Sequence, residues 1–229
     1  MAKILTGPIV SEIRGKIGDV VFARNRGGMF SRRQGIRVQP WSTQQQNVRT
    51  YFGQMSAAWN ASLTQAQRDG WNALASTLKK NDQLGQAAPP SGQNLFARLG
   101  YPMFVYAEAY LWDAPADLSV QDTPNPTISA ATASPQLLTV SLDVPTNPAT
   151  MFIFYATRPR NVGVSYFGHG FTWFDTATDP QTWPFDVTSN YTSVIGNLLA
   201  GKKLALLVRC LNLANGALSP GRICTSLIS

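Results

Sequence analysis

Long hydrophobic runs are missing from this chain of 229 residues. Nothing in it approaches the roughly 18 consecutive apolar residues of a membrane span. The first twenty residues, MAKILTGPIVSEIRGKIGDV, break every short apolar run with Gly, Pro or charge, so the apolar core of a signal peptide is missing too. Both observations predict synthesis and retention in the cytosol, without a membrane partner. Histidine occurs once, at His169, and cysteine twice, at Cys210 and Cys224, with no C-x-x-C pair. That set is too small for a zinc site. Without a secretory signal, the two cysteines read as buried thiols rather than a disulfide, although both fall in strand-like runs that can be neighbours.

The residues of catalysis are equally sparse. Ser165, His169 and Asp175 lie close in sequence, and Ser165 and His169 share a face if the segment is a strand. However, SYFGHGFTWFD contains no nucleophile elbow, and catalysis also needs a positioned nucleophile and oxyanion donors. His169 therefore reads as a surface or packing residue. Glu108, Asp113 and Asp117 form the only acidic cluster, while Asp175, Asp179 and Asp186 are scattered over expected loops without the D-x-D-x-D-G spacing of a calcium loop. RNRGGMFSRR has glycines but neither the Lys-Ser/Thr pair nor the strand-to-helix setting of a phosphate loop. The expectation is a protein that is not an enzyme and that carries no metal or cofactor.

Charge is present, and it is localised. Residues 1–50 hold Lys3, Arg14, Lys16, Arg24, Arg26, Arg32, Arg33, Arg37 and Arg49 against Glu12 and Asp19, so nine minus two gives +7. The remaining residues balance ten basic against ten acidic groups. A neutral body thus carries a strongly basic N-terminal segment, and the whole-chain pI of about 9.7 reflects that segment and not a uniformly basic surface. Within it, a run from Asp19 to Arg24, a turn at Asn25 to Gly28 and a run from Met29 to Val38 predict a β-hairpin. An isolated two-stranded hairpin is marginal in water, so it needs a neighbour to order it.

The next region is helical. Ser42 and Gln45 fit a capping box, and Val48, Tyr51, Phe52, Met55 and Trp59 fall on one helical face ending near Ser62. Thr64 and Gln67 form a second capping box before Trp71, Leu74, Ala75 and Leu78. The two Trp-Asn-Ala copies therefore flank the corner of a helical hairpin, with Leu63 between the helices. Trp59 and Trp71 read as core anchors, with a ligand-stacking pair as the alternative. Ser91 caps a short helix carrying Leu95, Phe96 and Leu99, which Gly100 and Pro102 are expected to end. The aromatic run from Tyr101 to Trp112 is expected to be buried. Beyond it, seven strand-like runs at 127–133, 136–143, 150–157, 162–174, 183–192, 203–213 and 221–228 indicate a β-sandwich.

The segment from Leu198 to Leu227, LLAGKKLALLVRCLNLANGALSPGRICTSL, resembles the last hairpin of a fibronectin type III domain, departing from it at Leu204, near where such domains often carry a tyrosine. The basic hairpin, the corner bearing Leu63, Thr64, Gln67, Arg68 and Trp71, and the helix start bearing Ser91, Gly92, Asn94 and Phe96 together resemble a family of phage and phage-like structural proteins of uncharacterised activity. That resemblance covers about the first 100 residues and implies a virion component made in the host cytoplasm, associating with itself and with other virion proteins. The expectation is an α+β chain: residues 1–41 a basic extended arm or hairpin, 42–117 a short helical bundle, and 118–229 an antiparallel β-sandwich of fibronectin type III-like form. Arg14, Lys16, Arg24, Arg26, Arg32, Arg33 and Arg37 are the candidate binding residues; Trp59, Trp71 and Phe96 are the candidate structural core. Guanidinium groups pair equally with carboxylates of a neighbouring subunit or with phosphates. The resemblance favours subunit docking in a structural component of the particle, capsid-associated or in the tail; nucleic-acid binding and, more distantly, a carbohydrate-binding or hydrolytic β-module are the alternatives.

Overall fold

The computed structural model describes residues 2–4, 10, 12–35, 42–78, 81, 88–120, 122–143, 149–178 and 182–229. The described elements are four helices and antiparallel strands, an α+β fold. The chain divides into two compact units, 1–96 and 97–229. That division falls inside a helix, whereas the sequence predicts boundaries at 41/42 and 117/118.

The first unit begins with β1 (Ala2–Lys3), β2 (Gly15–Ile17), β3 (Val20–Asn25) and β4 (Gly28–Arg33). They form one antiparallel sheet in the order β1-β4-β3-β2. The expected hairpin is therefore the centre of a larger sheet. Its two outer strands are only two and three residues long, below the length at which alternation is legible. The second strand ends at Arg33; residues 36–40, which include Ile36, Arg37 and Val38, lie outside the described residues.

Helix α1 (Thr43–Ala61) starts at Ser42, whose hydroxyl accepts the Gln45 N–H at 3.4 Å. Helix α2 (Gln65–Thr77) has both halves of its capping box: Gln67 N–H donates to Thr64 Oγ1 at 3.3 Å, and Thr64 N–H to Gln67 Oε1 at 2.9 Å. At the corner, the N–H groups of Ser62 and Leu63 both donate to the Ala58 carbonyl, and the Leu63 side chain is buried. The apolar face of α1 is not buried along its whole length. Met55 and Trp59 are inside, whereas Val48 and Phe52 remain 40% and 51% exposed. α2 is six residues shorter than α1 (19 − 13), so roughly 9 Å of α1 reaches beyond its length.

Helix α3 (Gly92–Tyr106) does not stop at Gly100 and Pro102; it continues through both. A proline inside a helix removes one backbone bond and costs about 3 kcal/mol. Here Met103, in the turn just entered, is buried with Met151, Ile153 and Leu211, which offsets that cost. The helix closes at Glu108, which takes the left-handed φ of 52°, while the Met103 carbonyl accepts from Ala107 and Ala109. The aromatic run is only partly buried: Tyr110 stacks on Trp112 with centroids 4.8 Å apart, and Trp112 is exposed.

The rest of the second unit holds β5 (Pro126–Ala133), β6 (Gln136–Leu142), β7 (Thr150–Ala156), β8 (Thr172–Thr178), β9 (Phe185–Asp186), α4 (Thr188–Val194), β10 (Lys203–Asn212) and β11 (Arg222–Leu227). One sheet runs β11-β10-β7-β8 and the other β5-β6-β9. A single apolar cluster draws Leu138, Val140 and Leu142 from β6, Phe152 and Phe154 from β7, and Leu206, Val208 and Cys210 from β10. The other face of β7 buries Met151 and Ile153 with Met103. Cover on both faces explains why MFIFYA, Met151 to Ala156, reads as an unbroken apolar run instead of alternating.

Two expected strands differ. Most of 162–174 is loop, because Gly170 takes a φ of 87° and regular pairing starts only at Thr172. The expected strand 183–192 is the two-residue β9 followed by α4. Asp186 Oδ1 accepts the Thr188 N–H at 2.9 Å, an Asx turn that bends the chain into the helix and buries Tyr191. Cys210 and Cys224 are both free thiols, pushed up to about 11 and about 12 mainly by burial.

Candidate interaction surface of the N-terminal sheet

Cross-strand partners share a face, so the register assigns the basic residues to faces. Ile17, Val20 and Arg33 form one row, Arg24 and Met29 another, and Phe22 lies between them on the same side. Lys16, Val21 and Arg32 form a row on the opposite side, with Ala23, Phe30 and Lys3 beside it. Arg26 sits in the β3–β4 turn. The sheet therefore distributes its arginines over both faces and does not gather them on one. Arg37 lies outside the described residues.

Neither face forms a dry interior. Among the described residues of 3–35 none is fully buried, and Ile17 is 70% exposed. Arg14 Nε donates to Glu12 Oε1 at 2.8 Å, and Arg24 Nη1 lies 3.6 Å from the same oxygen. The hydrogen bond from Arg14, with the charges of Arg14 and Arg24, holds the Glu12 carboxyl below the usual carboxylate range. Lys16, Arg26, Arg32 and Arg33 are exposed and have no ion-pair partner among the described residues. A basic, half-apolar surface of this kind has unspent capacity for carboxylates or phosphates.

Trp59, Trp71 and Phe96 come together as one cluster. The Phe96 ring lies 5.6 Å from Trp59 and 5.5 Å, edge-on, from Trp71, and all three are buried. The ligand-stacking alternative has no exposed ring to work with here. The sequence reading missed what separates the two Trp-Asn-Ala copies. Asn60 donates to the Ser56 carbonyl of its own helix, whereas Asn72 Oδ1 accepts the N–H of Gly92 at 3.2 Å and so anchors the start of α3. A Cβ at Gly92 would stand 2.8 Å from the Asn72 backbone nitrogen, so glycine is what the close approach requires. Ser91 Oγ accepts the Asn94 N–H at 3.2 Å. Residues that looked like a signature are thus joints of the helical fold.

Ser165 and His169 lie in an exposed loop, and Asp175 lies on β8 with its carboxylate accepting the Thr176 N–H at 2.8 Å. No hydrogen bond joins the three. Burial pushes the Asp175 carboxyl up, against hydrogen bonds from Asn190 and Thr176. Among the described residues, no three His, Cys, Asp or Glu are grouped so as to hold a metal ion, and no helix is long and apolar enough to cross a membrane. In comparisons with protein-family models, curated proteins and solved structures, no significant match to the chain is found.

Proposed function

We propose that this chain is a non-enzymatic structural component of a bacteriophage particle, capsid-associated or in the tail, which assembles in multiple copies through its N-terminal sheet. The observation that carries this reading is the sheet itself: four strands, both faces partly exposed, and four unpaired cations among the described residues. A sheet without a core gains order by docking. The resemblance to phage structural proteins supplies the setting, and virion localisation belongs to this proposal. The second unit is read as fibronectin type III-like; the strand orders β5-β6-β9 and β11-β10-β7-β8 around a shared core support that, as does its closing hairpin.

The test changes Arg24, Arg26, Arg32 and Arg33 together to Ser. Assembly into particles or multimers is expected to be lost, with the thermal unfolding of both units retained. The same cations favour nucleic acid as a second reading. On that reading the purified protein binds any duplex DNA, and the slope of log affinity against log salt falls by about 0.9 for each phosphate contact removed. Tight DNA binding at physiological salt, together with assembly that ignores the four substitutions, overturns the docking proposal.

A further inference from the structure

The second unit separates its charges by end. β10 has ten residues and spans about 30 Å. At its first residue, Lys203 forms an antiparallel bridge with Arg160, with N–H to carbonyl distances of 2.7 and 2.9 Å. Both cations lie over the ring of the buried Phe167, the Arg160 guanidinium 5.7 Å and the Lys203 ammonium 5.8 Å from its centroid. Lys202 Nζ donates to Asn161 Oδ1 at 2.6 Å, Arg160 Nη2 donates to the His169 carbonyl at 3.0 Å, and the exposed Arg158 precedes Arg160 by two residues. Every acceptor here is neutral, and no carboxylate lies within ion-pair distance of these four cations among the described residues. Like charges opposite one another on neighbouring strands repel. Attraction of each cation to the ring face offsets that repulsion in part, and an anion across the pair would relieve the rest. Tyr166, 76% exposed, stands in the same loop.

The far end of β10 carries the opposite sign. There Asn215 Nδ2 donates to the Ser119 carbonyl at 2.9 Å, and Thr123 Oγ1 donates to Ser219 Oγ at 2.7 Å. These bonds pin the segment that bears the exposed Asp117 and Asp122. Asp143 is exposed at the end of β6, where Leu142 pairs with Pro126. Of the cations near this end, Arg222 is held by Asn125, and the half-buried Arg209 lies over the Tyr155 ring, 5.9 Å from its centroid. We infer that a second copy of this chain docks its acidic end, Asp117, Asp122 and Asp143, on the basic end formed by Arg158, Arg160, Lys202 and Lys203. A head-to-tail contact of this kind is heterologous and propagates into a ring or a filament. It involves no residue of the N-terminal sheet and stands without the reading given to that sheet.

The experiment measures the mass of the full chain by sedimentation, from low to high salt, in the wild type and in the four-Ser N-terminal background so that neither contact masks the other. Arg160→Glu with Lys203→Glu is expected to weaken self-association about tenfold or more. Arg158→Glu with Lys202→Glu, which leaves the cations over Phe167 in place, is expected to weaken self-association in the same direction, and it decides the matter where the first pair disturbs folding. Adding Asp117→Lys and Asp122→Lys to the reversed chain is expected to restore association. Association indifferent to the reversals, or lost without rescue by the swap, overturns the inference. So does binding of duplex DNA or an acidic oligosaccharide that the same reversals abolish while self-association stays unchanged.

Discussion

The sheets β1-β4-β3-β2 and β11-β10-β7-β8 have the same number of strands and the same antiparallel ladders, yet only the second encloses anything. β7 buries six of its seven residues, and β10 buries Leu204, Ala205, Leu206, Val208, Cys210 and Leu211. β3 and β4 bury none. Hydrogen bonding is not the difference. The second sheet has a facing sheet on one side and Met103 on the other, whereas VVFARN and GMFSRR alternate apolar residues with arginine on both sides. A ladder supplies geometry; desolvated apolar area supplies stability.

The largest way to break this comparison is truncation of a phenylalanine in each sheet. Phe154→Ala is expected to cost about 3–5 kcal/mol in chemical denaturation, and Trp71→Ala in the helical hairpin a similar amount, since both side chains are fully buried. Phe30→Ala, on a half-exposed face, is expected to cost under about 1 kcal/mol in the unassembled chain. Equal losses at Phe30 and Phe154 would mean that the N-terminal sheet has a core of its own, and the docking proposal would lose its support.

A smaller effect separates two glycines with the same backbone requirement. Gly216 (φ 69°) and Gly18 (φ 55°) both occupy the left-handed region. A Cβ on Gly216 would stand 2.5 Å from the Leu99 carbonyl oxygen, while one on Gly18 meets nothing within 4 Å. Gly216→Ala is therefore expected to cost about 2 kcal/mol or more and Gly18→Ala about 1 kcal/mol, the backbone term alone. Thermal melts of the two variants check this, and a reversed order would place Gly18 against a surface.

What could be read from the residues follows the same line. The helical corner was legible because caps are local: Ser42, Thr64 and Gln67 declare themselves within four residues, and Trp59 and Trp71 follow at helical spacing. The end of α3 was not, since the Gly100 and Pro102 signals are local while the burial of Met103 that overrides them is not. In the same way α4 depended on one Asx turn at Asp186, hidden inside a plausible strand. The basic residues of the candidate surface were legible as a set, because charge shows in composition. Their division between two faces was not, because it depends on the register of β3 with β4, which sets Arg33 opposite Val20 and Arg32 opposite Val21. The cluster around Phe167 was missed altogether: Arg160 and Lys203 are 43 positions apart (203 − 160) and meet only through a single bridge.

The smallest expected effect distinguishes the two regions by pH. Glu12, exposed beside Arg14 and Arg24, has its carboxyl held low, so any stability it contributes is present above its unfolded value and is lost as pH falls through the lowered one. Asp175, half-buried on β8, has its carboxyl raised by desolvation, and the linkage runs the other way. Above the raised value, the folded state holds a carboxylate that burial disfavours; as pH falls through it towards the unfolded value, the native state takes up the proton first and gains stability. Asp175→Asn removes that penalty while keeping an acceptor for Thr176. At neutral pH it is expected to stabilise the second unit by less than about 1 kcal/mol, since solvent screens a group this exposed, and to flatten the acid limb of its stability profile. Carboxyl titration by NMR gives the two directions independently of unfolding. If the Asp175 resonance titrated below that of an unfolded aspartate, hydrogen bonds from Asn190 and Thr176 would outweigh burial, and the substitution would destabilise instead.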